Sequence, residues 1–177
     1  MWELPPTSLR ALRAVPTHAP NILLDTLTDW PNRFFFLACP CNAALFSATG
    51  EIQRHPLISQ DVVVGPVTVR CSSCKQEVSL FDPSSHGYDV ELDHFPPPWR
   101  PPLAPRHFEC PACMRTSFGL VARFEYPAAL VAAVEGGFHT GYPHHLGREQ
   151  DLFTWFTLIG VCPGCGTVST VSSAECA

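Results

Sequence analysis

Apolar residues in this chain come in short runs, most of them cut within a few positions by proline, glycine or a close pair of cysteines. Arg33 to Ala38 is apolar through Phe34, Phe35, Phe36 and Leu37 and leads into Cys39-Pro40-Cys41. Ala43 to Ala48 then reads as a strand, and Thr49-Gly50 predicts a turn. Val62-Val63-Val64 and Val67-Thr68-Val69 form a β-branched run into Cys71-Ser72-Ser73-Cys74. Behind it, Glu77-Val78-Ser79-Leu80-Phe81 alternates as a half-buried strand would.

The second half follows the same order. Arg106 to Glu109 enters Cys110-Pro111-Ala112-Cys113, and Ser117 to Tyr126 has strand character. Pro127 to Glu135 predicts a helix, because proline suits a first turn, Ala-Ala-Leu-Val-Ala-Ala-Val follows, and Gly136-Gly137 ends it. Leu152 to Val161 predicts a strand, Cys162-Pro163-Gly164-Cys165 a turn, and Thr167 to Ser172 a closing strand. Each half thus reads as strand, cysteine pair, strand, insertion, strand, cysteine pair, strand, as a degenerate tandem duplication would.

Between the halves, Phe95 to Pro105 is too rich in proline for helix or central strand. It reads as a semi-rigid connector, with docking to a proline-reading domain as the alternative. The resulting division is an extension over 1–30 with a short helix near Ser8 to Val15, a first lobe over 31–95, a linker over 96–106, and a second lobe over 107–177.

Composition narrows the function. A hydrophobic share of 46% is globular. Eleven Lys and Arg against sixteen Asp and Glu leave a formal charge of −5. That balance disfavours nucleic acid, whose non-specific binding rests on neutralised phosphates, and suits a basic protein surface. The longest apolar run, Phe153 to Val161, is too short for a membrane span. Met1 to Pro20 lacks a secretory apolar core, so the expected location is a reducing cytoplasm. There, paired cysteines serve metals more often than disulfides.

Eight of the nine cysteines fall in four close pairs. Two thiolates on one tight turn offer half a tetrahedron, and a second such turn completes it, with metal–sulfur distances near ~2.3 Å. The residues resemble zinc ribbons, the rubredoxin-like knuckle proteins, over most of positions 33–172. The resemblance implies a mainly β fold, two tandem antiparallel sheets with one short helix in the second lobe, and two structural zinc ions. Cys110, Cys113, Cys162 and Cys165 match the two-knuckle pattern, as do Cys71 and Cys74. Cys39 and Cys41 depart from it, with one spacer residue instead of two. Disulfides, a redox dithiol and iron in place of zinc are the alternatives for the same sulfurs. Cys176 is left as an unligated thiol.

Other residues have plainer explanations. His139, His144 and His145 lie in one loop near Tyr142, Glu149 and Asp151, where a catalytic metal could sit; a solvated loop accounts for them as well. Asp82, His86, Asp89, Asp93 and His94 fit turn chemistry. In a strand, Phe153 and Trp155 would share one face and Phe156 the other, as core and lobe interface. A small core supplies only about 3–5 kcal/mol, so metal would decide whether each lobe folds. The expectation is a non-enzymatic zinc protein that acts as a protein-binding adaptor or regulator. A nucleic-acid-associated ribbon is the alternative, and a metalloenzyme using the histidine loop a third.

Overall fold

Alternation and β-branching place ten regular elements among the described residues, which are 5–18, 31–55, 60–82, 103–136 and 149–176 of a computed structural model. They are β1 (Arg13–Thr17), β2 (Asn32–Ala38), β3 (Leu45–Arg54), β4 (Asp61–Cys71), β5 (Glu77–Phe81), β6 (Arg106–His107), β7 (Phe118–Glu125), α1 (Ala128–Glu135), β8 (Trp155–Val161) and β9 (Val168–Glu175). Short 3-10 turns lie at Thr7–Leu9 and Glu149–Asp151. The proline-rich stretch up to Pro102 and the histidine loop with His139, His144 and His145 lie outside the described residues, as do His86, Asp89, Asp93 and His94.

Among the described residues the fold is mainly β with one α-helix, but the strands share one sheet instead of forming two in tandem. Two antiparallel meanders, β3–β4–β5 and β7–β8–β9, correspond to the two halves of the sequence. They join twice. β3 meets β7 antiparallel at Leu45 opposite Gly119 and Phe46 opposite Phe118. β4 meets β9 in parallel at Val63 opposite Ser172, where Ser172 Oγ also donates to the Val63 carbonyl at 2.7 Å. The ring β7–β8–β9–β4–β3 is therefore a closed five-stranded barrel, with β1 and β2 extending it along β7.

Inward side chains fill this barrel. Phe81 of the first meander stacks on Phe156 of the second at 5.0 Å between ring centres, and Phe156 continues to Phe124 at 5.4 Å. Phe153 packs edge-on against Phe124 at 4.7 Å. The expectation that Phe153 and Trp155 share one face, with Phe156 on the other, is therefore corrected. It precedes β8, is free of the strand's alternation, and joins Phe156 in the core, while Trp155 turns outward and donates from Nε1 to Ser173 Oγ at 2.8 Å.

Two further expectations are corrected. Thr49-Gly50 is not a turn: β3 runs through it, with a register shift between Thr49 and Glu51. Gly50 is needed there for close approach, since a Cβ would stand 2.3 Å from Val63 Cγ1 and 2.9 Å from the Pro66 carbonyl. The helix expected near Ser8 to Val15 is a single 3-10 turn followed by β1, because Pro16 and the pairing of Val15 with Phe36 favour extended backbone. The expected helix after Pro127 is present as α1, with Leu130 and Val131 buried. No described helix is long and apolar enough to cross a membrane.

Candidate metal centres

The four cysteine pairs fold into one kind of turn, and its backbone bonds repeat. The amide of the first cysteine donates to a carbonyl beyond the second: Cys71 to Gln76, Cys110 to Arg115 and Cys162 to Thr167, at 2.8–2.9 Å. In return, the residue after the second cysteine donates to the first cysteine's carbonyl: Lys75 to Cys71, Met114 to Cys110 and Gly166 to Cys162. That residue is left-handed in every case, with φ of 64° at Lys75, 61° at Met114 and 76° at Gly166. The Cys39–Cys41 turn is the same device shortened by one residue. Cys39 donates to Ala43, Asn42 donates to Cys39, and Asn42 takes φ 69°.

Each turn buries its first cysteine and exposes its second. Two clusters result, Cys39, Cys41, Cys71 and Cys74 in one and Cys110, Cys113, Cys162 and Cys165 in the other, with all sulfurs of a cluster within 4.8 Å of one another. The closest approaches are 3.4 Å from Cys39 to Cys74, 3.6 Å from Cys41 to Cys71, 3.6 Å from Cys110 to Cys165 and 3.5 Å from Cys113 to Cys162. Four sulfurs at ~2.3 Å from one ion in a tetrahedron stand about 3.8 Å apart. A disulfide would bring a pair to about 2.05 Å. The spacing therefore fits a shared ion and does not fit oxidised pairs. Both clusters could hold a metal through four thiolates, which leaves no position for a reacting water. Cys176 is buried and belongs to neither cluster.

Backbone amides prepare the sulfurs for charge. At Cys71 burial opposes ionisation, but the amides of Cys74 and Ser73 and the neighbouring sulfurs together pull the thiol down to about 6. The hydroxyl and amide of Thr167 bring Cys165 down to about 6 as well. Four thiols so close cannot all ionise without a cation. At Cys39 the amide of Cys41 favours the thiolate, yet burial and the sulfurs of Cys41, Cys74 and Cys71 push it up to about 12. Cys113 is likewise pushed up to about 12, the Arg115 amide being outweighed by Cys162, burial and the other two sulfurs. An ion at the centre removes that conflict by taking the place of the retained protons.

The strands explain how distant cysteines meet. β2 runs along β7, passes through the Cys39 turn and leaves as β3. β6 runs along β3, passes through the Cys110 turn and leaves as β7. The chain thus crosses between the meanders twice, each time through a cysteine turn beside the two-pair junction of β3 and β7. The second turn of each cluster closes the same meander, Cys71–Cys74 between β4 and β5 and Cys162–Cys165 between β8 and β9. Ser72 Oγ and Ser117 Oγ, one from each side, are 3.0 Å apart.

Spacing in the sequence identified all eight clustered cysteines. It gave no sign of the left-handed Lys75 and Met114, since neither residue type marks that conformation. No family model matches the chain, and neither curated proteins nor solved structures provide a match.

Proposed function

We propose that this is a zinc protein with two structural centres, and that it acts without catalysis by binding another protein. The observation that carries this reading is the complete commitment of both clusters: four thiolates each, in turns that fix them, with no open coordination position. Zinc is the ion for which such closed tetrathiolate sites are the common structural use. Reduced sulfurs fit a reducing compartment, and the cytoplasm is the proposed location.

The outer edge of the sheet supplies a surface for the partner. Val15 of β1 stands directly opposite Phe36 of β2, and they are 49% and 36% exposed. Exposed apolar side chains side by side on a strand pair suit an interface, and the net charge of −5 favours a partner of basic character. Binding there would neutralise or regulate that partner.

Two measurements test the reading. Elemental analysis of protein purified without added metal should give two zinc per chain; one or none contradicts the structural assignment. Partner capture should then be compared between the native chain and the double variant Val15→Asp, Phe36→Asp. The variant should keep its zinc and lose the partner. Undiminished capture removes this edge as the interface, and turnover of a substrate that depends on the zinc removes the non-catalytic assignment.

A further inference from the structure

The outer face of the first meander carries a cleft of about 290 Å³ beside the crossovers, lined by Ser47, Arg70, Ser72, Lys75, His107 and Ser117 among others. Register brings them together. Ser47 stands opposite Arg70 across β3 and β4, and His107 of β6 stands opposite Thr49, two residues further along the same face of β3. Ser72 and Ser117 meet from the two cysteine turns at 3.0 Å and close one side.

Most of the lining side chains are donors, alongside Cys71 of the first cluster. Arg70 borders the cleft, and its ion pair is a loose one, Nε to Glu77 Oε1 at 3.8 Å. Lys75 Nζ donates to the Ser72 carbonyl at 2.5 Å and keeps further protons for a ligand. His107 Nδ1 lies 3.1 Å from Thr49 Oγ1, and the ring borders the cleft. Among the described residues no carboxylate lines this cleft; Glu51 and Glu77 belong to the adjoining cleft, which Arg70 and His107 also border. No Phe, Tyr or Trp is among the described residues that line it.

We propose that this cleft seats a dianionic phosphate group, free or as a monoester. Arg70 supplies the planar fork suited to phosphate oxygens, Lys75 a point charge, and the serine hydroxyls and the His107 ring further donors. The inference goes beyond the protein-binding reading and does not depend on it. A competing role for the cations is charge balance, since a divalent ion with four thiolates keeps a net negative charge. Arg115, whose side chain lies within 2.5 Å of where a Cβ on Gly164 would be, is placed for that role at the second centre.

The two roles separate experimentally. Metal-loaded protein is titrated calorimetrically at fixed ionic strength with inorganic phosphate and, separately, with O-phosphoserine, and zinc content is read before and after. Saturable binding should weaken roughly tenfold or more in Arg70→Gln, as loss of a charge-assisted contact requires, and should be unchanged in Arg54→Gln, outside the cleft. Ser47→Ala, which removes only a hydroxyl, should weaken binding several-fold and guards against a folding defect in Arg70→Gln. Tighter binding of phosphoserine assigns a monoester; equal binding assigns the free anion. No saturable binding of either probe at millimolar concentration, or binding that survives both cleft variants, overturns the proposal. So does an Arg70→Gln variant that loses zinc while binding phosphate as the native chain does.

Discussion

The two halves of the molecule follow one plan with unequal reach. In each, a strand arrives along the other half's meander, passes through a cysteine turn and becomes the first strand of its own. The arriving strand β2 is held by five register pairs to β7 and by β1 on its other side, whereas β6 is held by two pairs to β3. The last strands differ as well: β9 makes seven pairs with β8 and reaches β4, while β5 makes four pairs with β4. The first centre therefore sits on a crossover that strand pairing already fixes, and this half tolerates the shortened Cys39–Cys41 turn. The second sits on a crossover that pairing fixes weakly, and it has two full-length turns. Where hydrogen bonds do less of the positioning, a metal held by the cluster would do more.

Breaking each centre in turn probes that difference. Cys162→Ser should cause the largest loss, because it disrupts the centre that anchors Cys110 and the meander carrying Phe118, Phe124 and Phe156. We expect one zinc equivalent lost, no cooperative unfolding transition and rapid amide exchange across β7–β9. Cys39→Ser should also lose one equivalent but keep slow exchange in β7 and β8, since β2 remains paired. Equal collapse in both variants would remove the distinction between the halves.

Acid tests both centres at once. The thiols of Cys71 and Cys165 are depressed to about 6 from an ordinary value of 9.0. A depressed acid stabilises the folded state at high pH and loses that contribution as pH falls through its folded value. Cys39 and Cys113 are pushed up to about 12, so zinc binding must displace their protons, and zinc should be held progressively less tightly, with loss of structure, as the pH falls. Release followed by a chromophoric chelator across a pH series reads this directly.

Smaller changes sharpen the join between the halves. Phe156→Ala removes the ring that contacts both Phe81 and Phe124 and should cost about 3–5 kcal/mol in denaturant unfolding. Gly50→Ala places a methyl against Val63 and the Pro66 carbonyl and should cost about 1–3 kcal/mol. Met114→Gly removes a side chain from a left-handed position. It should stabilise by up to about 1 kcal/mol, since the relief of strain is partly offset by glycine's greater freedom in the unfolded chain.

The cysteine turns were legible because their chemistry is local: two sulfurs, a short spacer and flanking strands declare themselves within a dozen residues. The meanders were legible for the same reason, through alternation at Glu77–Phe81 and the β-branched run before Cys71. The closure of the barrel was not. Leu45 opposite Gly119 and Val63 opposite Ser172 are contacts between distant segments whose own patterns fit two separate sheets equally well. Gly50 carries the signature of a turn and instead makes room for Val63, a demand set by the neighbouring strand. The ion pair of Arg123 with Glu125 at 2.6 Å, with both side chains nearly covered, was likewise invisible, because charged residues in a strand ordinarily mark its solvent face.

The claim on which the rest depends is that the four clustered sulfurs of each half share one ion beside a crossover. X-ray absorption at the zinc edge of the purified chain measures it most directly. The predicted spectrum is a single shell of four sulfurs per zinc at about 2.3 Å. A shell containing nitrogen or oxygen neighbours, or protein that carries no zinc and titrates no thiols, would contradict it.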